Sequence, residues 1–486
     1  MFYFFLAVAA LITGYFVYGK FVESSFGIDT CRATPACRMA DGVDYVKMKP
    51  KTIYLVQLLN IAGLGPIFGP ILGALYGPAA LVWIVIGSIF AGAVHDYFAG
   101  MMSVRYDGKS IPDAVGYNLG KFAKQFMNVF SVVLLLLVGV VFILGPAKLL
   151  ANKIGFNLDK DMAVVAWTAI IFAYYFLATI LPVDKIIGRL YPLFTVVLLI
   201  MAGGLTTMLI VDGYTFFPNG VGLANVHPKE LPIWPLMFIT IACGAISGFH
   251  ATQSPMMARC IPDEKCGRPI FYGAMIGEGV IALVWATLGM TFYQTPEMLQ
   301  TALAAGGPAG VVDQVATTLM GPIGGFLAII GVIILPISSG DTAFRAARLI
   351  IADFSKIEQK TIYKRLMIAL PLFAVGFLIT KTDFNVIWRY FGFSNQTLAT
   401  IVLWASAMYL VRHGKPHWIA SIPAVFMTAV CATYLCVAPE FPLHLSSTIG
   451  YPIGLAVAAA SFTLFILKAR VTPVEVNPAD APGTIG

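Results

Sequence analysis

Ten apolar runs dominate this chain: 79–94, 125–147, 162–181, 190–211, 269–293, 322–340, 366–380, 398–411, 416–437 and 449–467. A helix rises about 1.5 Å per residue, so about 20 apolar residues carry it across the hydrocarbon of a bilayer. An outer-membrane barrel would show short alternating segments, and these runs are continuous. Of the 486 residues 59% are hydrophobic and only 11% charged; a soluble domain carries about 25% charged residues. The chain reads as an all-α polytopic membrane protein.

The first apolar segment, within 1–19, lacks a basic n-region and a small-x-small cleavage site before Lys20. It is therefore expected to be a retained helix rather than a secretory signal. With it, about 13 transmembrane helices are expected. Spans follow at 52–77, 79–104, 122–147, 161–182, 188–211, 232–257, 268–293, 322–345, 362–380, 385–411, 416–437 and 449–468. Sorting the 31 Lys and Arg residues by side under this count puts roughly 25 of them together. They include Lys20, Arg38, Arg105, Arg259, Arg345 and Arg412. Basic loops stay in the cytoplasm, which predicts the N-terminus outside and the C-terminus inside. The net charge of +7 thus reflects topology, and no nucleic-acid partner is expected. Segment 108–120 is too polar to span and should lie along the cytoplasmic surface. Segment 294–321 should form a short helical cap outside, and the tail 471–486 should be disordered.

The ten central spans fall into two sets of five, 52–211 and 232–411, after a cytoplasmic loop 20–51 and before a closing pair of helices in 412–470. Five is odd, so the second set must be inverted relative to the first. Each set opens on a helix rich in breakers. The first contains LLNIAGLGPIFGPILGALYGP (58–78); the second contains FITIACGAISGFHATQSPMMARC (238–260). Interruptions at matching positions of two halves point to a transporter binding site. A broken helix in hydrocarbon exposes backbone groups that cost several kcal/mol each unless something satisfies them. The spacing of Gly65, Gly69, Gly73 and Gly77 also suits close helix packing, but Pro66 and Pro70 each remove a ladder donor.

Ionisable residues within spans are candidates for function. They are His95 and Asp96, His250, Glu278 and Asp341, with Gln57, Asn60, Ser247, Gln253, Ser338, Ser339, Thr342, Asn395 and Gln396 as polar company. Structural readings compete: Asp96 as a helix-end residue, Asp341 paired with Arg345, His95 bonded to a backbone carbonyl. The sequence has no GxxxxGK[ST], HExxH or GxSxG motif, so neither ATP-driven pumping nor enzymatic chemistry is expected, and no cofactor. Of the seven cysteines, Cys31 and Cys37 share a polar loop and make only a weak metal pair; those in apolar segments read as small hydrophobes.

The segments LLNIAGLGPIFGPILGALYGP, AGAVHDYFAG, TPACRMADGVDY and PISSGDTAF together resemble the carbon-starvation protein A (CstA) family, from about residue 2 through the last helix. The family is associated with uptake of peptides or pyruvate and is grouped with the amino acid–polyamine–organocation superfamily. The resemblance implies a LeuT-like core of two inverted five-helix repeats. It implies unwinding at Gly63–Pro66 and at Gly244–Gly248, with half-helix ends facing a carboxylate-bearing substrate. It also implies that helix 322–345 brings Ser338, Ser339 and Thr342 to carbonyls near Ala62 and Gly65, where a Na⁺ could bind.

The expected protein is a multi-pass transporter of the bacterial inner membrane, importing a small nutrient by H⁺ or Na⁺ symport. Asn60, Gly63, Gly65, Gly244, Ser247 and Gly248 are the expected substrate contacts. Ala62, Gly65, Ser338, Ser339 and Thr342 are candidate cation ligands, and His95, Asp96, His250 and Asp341 candidate proton-handling groups. A nutrient sensor or channel without concentrative transport is the alternative.

Overall fold

The computed structural model describes residues 1–42, 45–180, 184–329, 331, 333, 335–359 and 361–473. All regular secondary structure among them is helical. Nine of the described helices are long and apolar enough to cross a membrane, or ten if the bent pair Pro50–Ile61 and Gly65–Tyr76, 49° apart, counts as one span. The expected total included three more segments that do not form single long apolar helices. Segment 232–257 is broken. Segment 322–345 is divided between Pro296–Ile329 and Leu335–Ser355. The third, Phe384–Arg412, is continuous but carries Asn385, Arg389, Asn395 and Gln396 in its first half.

Several boundaries move for local reasons. The first helix runs as Phe2–Phe16 and Tyr18–Phe26 because Val17 keeps the backbone ladder intact, accepting from Phe21 and donating to Thr13. It stops at Gly27, whose φ of 74° suits a residue without Cβ. The polar loop therefore starts at 27 rather than 20. Segment 108–120 contains the helix Ile111–Leu119, which packs on Lys121–Lys153 and Phe384–Arg412. The cap expected at 294–321 is helical, kinked at Gly307 (φ 63°) and Gly321 (φ 59°), each followed by proline. Residues 474–486, most of the expected tail, lie outside the described residues.

Residues sorted to the basic side meet at one end of the bundle. Arg105 reaches Glu264 with Nε at 2.6 Å and Nη2 at 2.8 Å. The same carboxylate accepts from the Asp29 amide at 2.8 Å. Arg268 pairs with Glu23 at 2.9 Å, Arg38 with Asp107, and Arg259 Nε donates to Gly108 O at 3.0 Å. Thr34 Oγ1 donates to Ile261 O at 2.6 Å, and the Met48 amide to Cys260 O at 3.2 Å. Loop 27–48 is thereby laced onto the ends of helices Ala93–Arg105 and Gly248–Ala258.

Candidate functional site

The first break forms where Ala62 leaves the helix at φ −80°, ψ 54°. The Gly63 amide then turns back to Ile61 O at 2.9 Å. That withdraws the donor which Leu59 O would have received in a continuous helix, and the Ser339 hydroxyl reaches that carbonyl at 3.4 Å. The helix restarts at Gly65, with Pro66 in its first turn, where a missing N–H costs nothing. The unwound residues are 62–64. Gly65 and Pro66, expected within the break, belong to the half-helix that follows it.

The second break begins through the same turn, with Ile241 at φ −90°, ψ 54°. It passes Gly244 in the left-handed region at φ 90° and ends at Ser247, the N-cap of Gly248–Ala258. Unwinding thus covers 241–247, and Gly248 opens the half-helix. Side chains from other helices satisfy the freed backbone groups. Gln396 Nε2 donates to Ala242 O at 2.9 Å, and Ser88 Oγ to Gly244 O at 2.9 Å. The Phe249 amide donates to Asn395 Oδ1 at 2.7 Å, which also receives the Ser247 hydroxyl at 3.2 Å.

The half-helix that follows the first break packs on the second break. A Cβ added to Gly65 would overlap the Cys243 side chain, and one on Gly69 would sit 3.1 Å from Thr240 O. The glycine stripe of 65, 69 and 73 thus packs against the second break, so the packing and unwinding readings of the quoted stretch hold together. Gly63 faces Phe142, and a Cβ on Gly244 would meet Ala282 at 2.6 Å.

Next to the second break lies a fully buried chain of ionisable side chains. His95 Nδ1 is 2.7 Å from Asp96 Oδ1, and His250 Nδ1 is 2.8 Å from Asp96 Oδ2. His250 Nε2 lies 3.2 Å from Glu278 Oε2. Asp96 is no helix-end residue, being wholly buried between two imidazoles, and His95 turns to that carboxylate rather than to a backbone carbonyl. Ligand atoms of Cys243, His250 and Glu278 lie within 4.8 Å of one another. Such a chain can hold or relay a proton through contacts of 2.7–3.2 Å.

The expected cation ligands are split. Ser339 reaches Leu59 O, one turn before the carbonyls of Ala62 and Gly65, and Thr342 Oγ1 donates to Ser339 O at 2.8 Å. Ser338 is on the same helix, and its side chain lies outside the described residues. Asp341 accepts from Tyr174 OH at 3.4 Å, while Arg345 gives Nη2 to Ala178 O at 2.6 Å. Cys31 and Cys37 are exposed free cysteines; Cys37 Sγ points to Pro262 O at 3.7 Å. Asn60 and Gln57 lie one turn apart beside the first break, buried, with Asn60 Oδ1 and both amide atoms of Gln57 unpartnered. Sequence reasoning missed Cys243 as a partner of His250, and Ser88 as the donor to Gly244. Nothing in their local sequence marks either, since the partners stand 156 residues apart for Ser88 and Gly244.

The sequence profile described as carbon starvation protein CstA matches residues 1–157, 152–298 and 298–434. A Haemophilus influenzae protein described as an uncharacterized membrane protein is 52% identical over 63% of this chain and 95% of its own length. The Escherichia coli protein named peptide transporter CstA is 24% identical over 87% of this chain and 78% of its own. Among solved structures, MhsT in complex with L-phenylalanine superposes with a TM-score of 0.56 at 13% identity, covering 88% of this chain and 99% of that one. A manganese transporter of Eremococcus coleocola gives 0.52 at 14% identity, covering 87% and 94%. The fold is thus that of LeuT-like transporters.

Proposed function

The chain belongs to the carbon starvation protein CstA family, and from that premise we propose that it is a secondary active transporter importing a small carboxylate-bearing nutrient by cation symport. The observation that carries this reading is the packing of the half-helix that follows the first break directly against the second break, at Gly65 and Cys243. In a bilayer such breaks persist only where protein, ion or substrate takes up the freed polar groups. Peptides are the first substrate class to test, because relatives over most of the chain are named peptide transporters; pyruvate is the second. In this reading Asn60 would meet the substrate's polar end; its amide oxygen, buried without a partner beside the first break, supports that role. Gly63, Gly65, Gly244, Ser247 and Gly248 would supply the remaining substrate contacts in this reading.

The coupling cation, Na⁺ or H⁺, belongs to the same proposal. Support for Na⁺ comes from Ser339 at the freed carbonyl of Leu59, with hydroxyl and carbonyl oxygens as hard ligands. Support for H⁺ comes from buried Asp341, whose Oδ1 is unpartnered, and from the His95–Asp96–His250 contacts. Basic loops gathered at one end support an inner-membrane topology with that end in the cytoplasm. Alternating access would rock the helices containing the breaks against the remaining helices.

Proteoliposomes loaded with buffer and given labelled dipeptide or pyruvate test this, with Na⁺ and H⁺ gradients imposed separately. Concentrative uptake under one gradient is expected. Uptake that stops at equilibrium under both would replace the symporter with a channel.

A further inference from the structure

Cys243, His250 and Glu278 are brought together by three different pieces of chain. Cys243 sits inside the second break, His250 in the half-helix that follows it, and Glu278 in Gly273–Phe292. Their ligand atoms lie within 4.8 Å of one another, and all three residues are buried. A second observation bears on the same point. His250 Nε2 and Glu278 Oε2 face each other at 3.2 Å without hydrogen-bond geometry, and Glu278 Oε1 is buried with no hydrogen-bond partner among the described residues. Buried polar atoms without well-formed hydrogen bonds cost about 1–3 kcal/mol each, and an ion that binds the imidazole nitrogen and the carboxylate together relieves this.

We propose that this triangle is a binding site for a thiophilic divalent cation of the Zn²⁺ class. The donor set of one sulfur, one imidazole nitrogen and one carboxylate oxygen is intermediate in softness, which suits Zn²⁺ and disfavours Mg²⁺ or Ca²⁺. Three protein ligands leave a fourth tetrahedral position for another group. With bonds of about 2.0–2.3 Å, tetrahedral ligands stand about 3.3–3.8 Å apart, so the triangle closes by side-chain rotation of about 1 Å. Charge favours the ion as well. A thiolate and a carboxylate sum to −2, and a dication makes the group neutral in a medium that penalises net charge. Cys243 now donates its thiol to Ser247 Oγ at 3.2 Å; on binding, that proton leaves to solvent and the sulfur turns to the metal.

Asp96 completes the arrangement as a positioning residue. Its Oδ2 lies 2.8 Å from His250 Nδ1, which keeps the proton on Nδ1 and turns the Nε2 lone pair toward Cys243 and Glu278. A carboxylate behind a metal-binding imidazole fixes both tautomer and orientation. A bound ion would tie the unwound stretch to the helices on both sides of it and so hold the second break in one conformation.

The test uses the full chain in detergent, metal-stripped and reduced, in a Cys31→Ser/Cys37→Ser background that removes the exposed thiols. Titration with Co²⁺ alone should give one equivalent bound, with visible bands of tetrahedral cobalt and a near-ultraviolet sulfur-to-cobalt charge-transfer band. Zn²⁺ should displace it and raise the melting temperature. Cys243→Ser should abolish the charge-transfer band, Glu278→Gln should weaken binding, and Asp96→Asn should weaken it about 10–100-fold while keeping the sulfur band. No stoichiometric binding, or a sulfur band that survives Cys243→Ser in folded protein, overturns the proposal. Because the readout is spectroscopic, its failure is separate from failure of the transport reading.

Discussion

Both breaks leave their helices through nearly the same backbone turn, at Ala62 and at Ile241, and then differ in how their polar groups are satisfied. The second is upholstered by its neighbours: Gln396, Ser88 and Asn395 each answer a freed backbone group. Among the described residues the first has one long contact, from Ser339 to Leu59 O, with the Gln57 amide and Asn60 Oδ1 buried and unpartnered beside it. The freed backbone groups of the second break are thus held by side chains of other helices, while the freed carbonyl of the first has a single long contact.

The comparison can be broken most forcefully at their contact. Gly65→Val drives a branched side chain into Cys243 and should cost about 3 kcal/mol, seen as a lower melting temperature in detergent and lost uptake. Gly203→Ala, with open space around it, is the matched control and should be neutral or slightly stabilising. Equal melting of the two variants would mean that the breaks do not pack. Next in size is Asn395→Ala, which strands the Phe249 amide and the Ser247 hydroxyl and should cost about 1–3 kcal/mol. Ser339→Ala removes a single long bond at the first break and should cost less than about 1 kcal/mol. Its expected signature is a changed cation dependence of uptake; unchanged dependence would move the coupling site elsewhere.

The smallest effect concerns the far end of the first broken helix, where Tyr76 packs on His227 with ring centroids 4.7 Å apart. Burial, and then nearby Lys229, hold this imidazole below its ordinary pKa of 6.5. Its Nδ1 accepts from the Lys229 amide at 3.1 Å, so the neutral form is the bound one. As pH falls through 6.5 the unfolded chain takes up a proton that the folded loop resists, and stability declines. His227→Gln should flatten the dependence of melting temperature on pH between about 7.5 and 5; an identical slope would remove His227 from the account.

How far the sequence could be read follows from how local each signal was. Clustered glycine and proline within an apolar run signal a break locally, so both breaks were placed to within a few residues of 62–64 and 241–247. The buried titratable residues declared themselves by standing in apolar runs, and His95, Asp96 and His250 do meet. The correction at Gly65 and Pro66 is also local: proline in a first helical turn starts a helix as readily as it ends one. What stayed hidden was partnership across the chain. Asn395 was visible as polar company, yet nothing in FSNQTLAT says that it caps a half-helix 146 residues away. Cys243 looked like a small hydrophobe because its meaning depends on Glu278, which arrives from another helix.

If the chain is the carrier proposed above, the lacing of loop 27–48 would set a clock. Opening that end would strip Glu264 of both Arg105 nitrogens and of the Asp29 amide. Unpairing a buried charge of this kind costs about 3–5 kcal/mol. Carried into a barrier, about 4 kcal/mol lengthens the dwell in the laced state by about a thousandfold. In that reading the dwell in the laced state would depend strongly on Arg105.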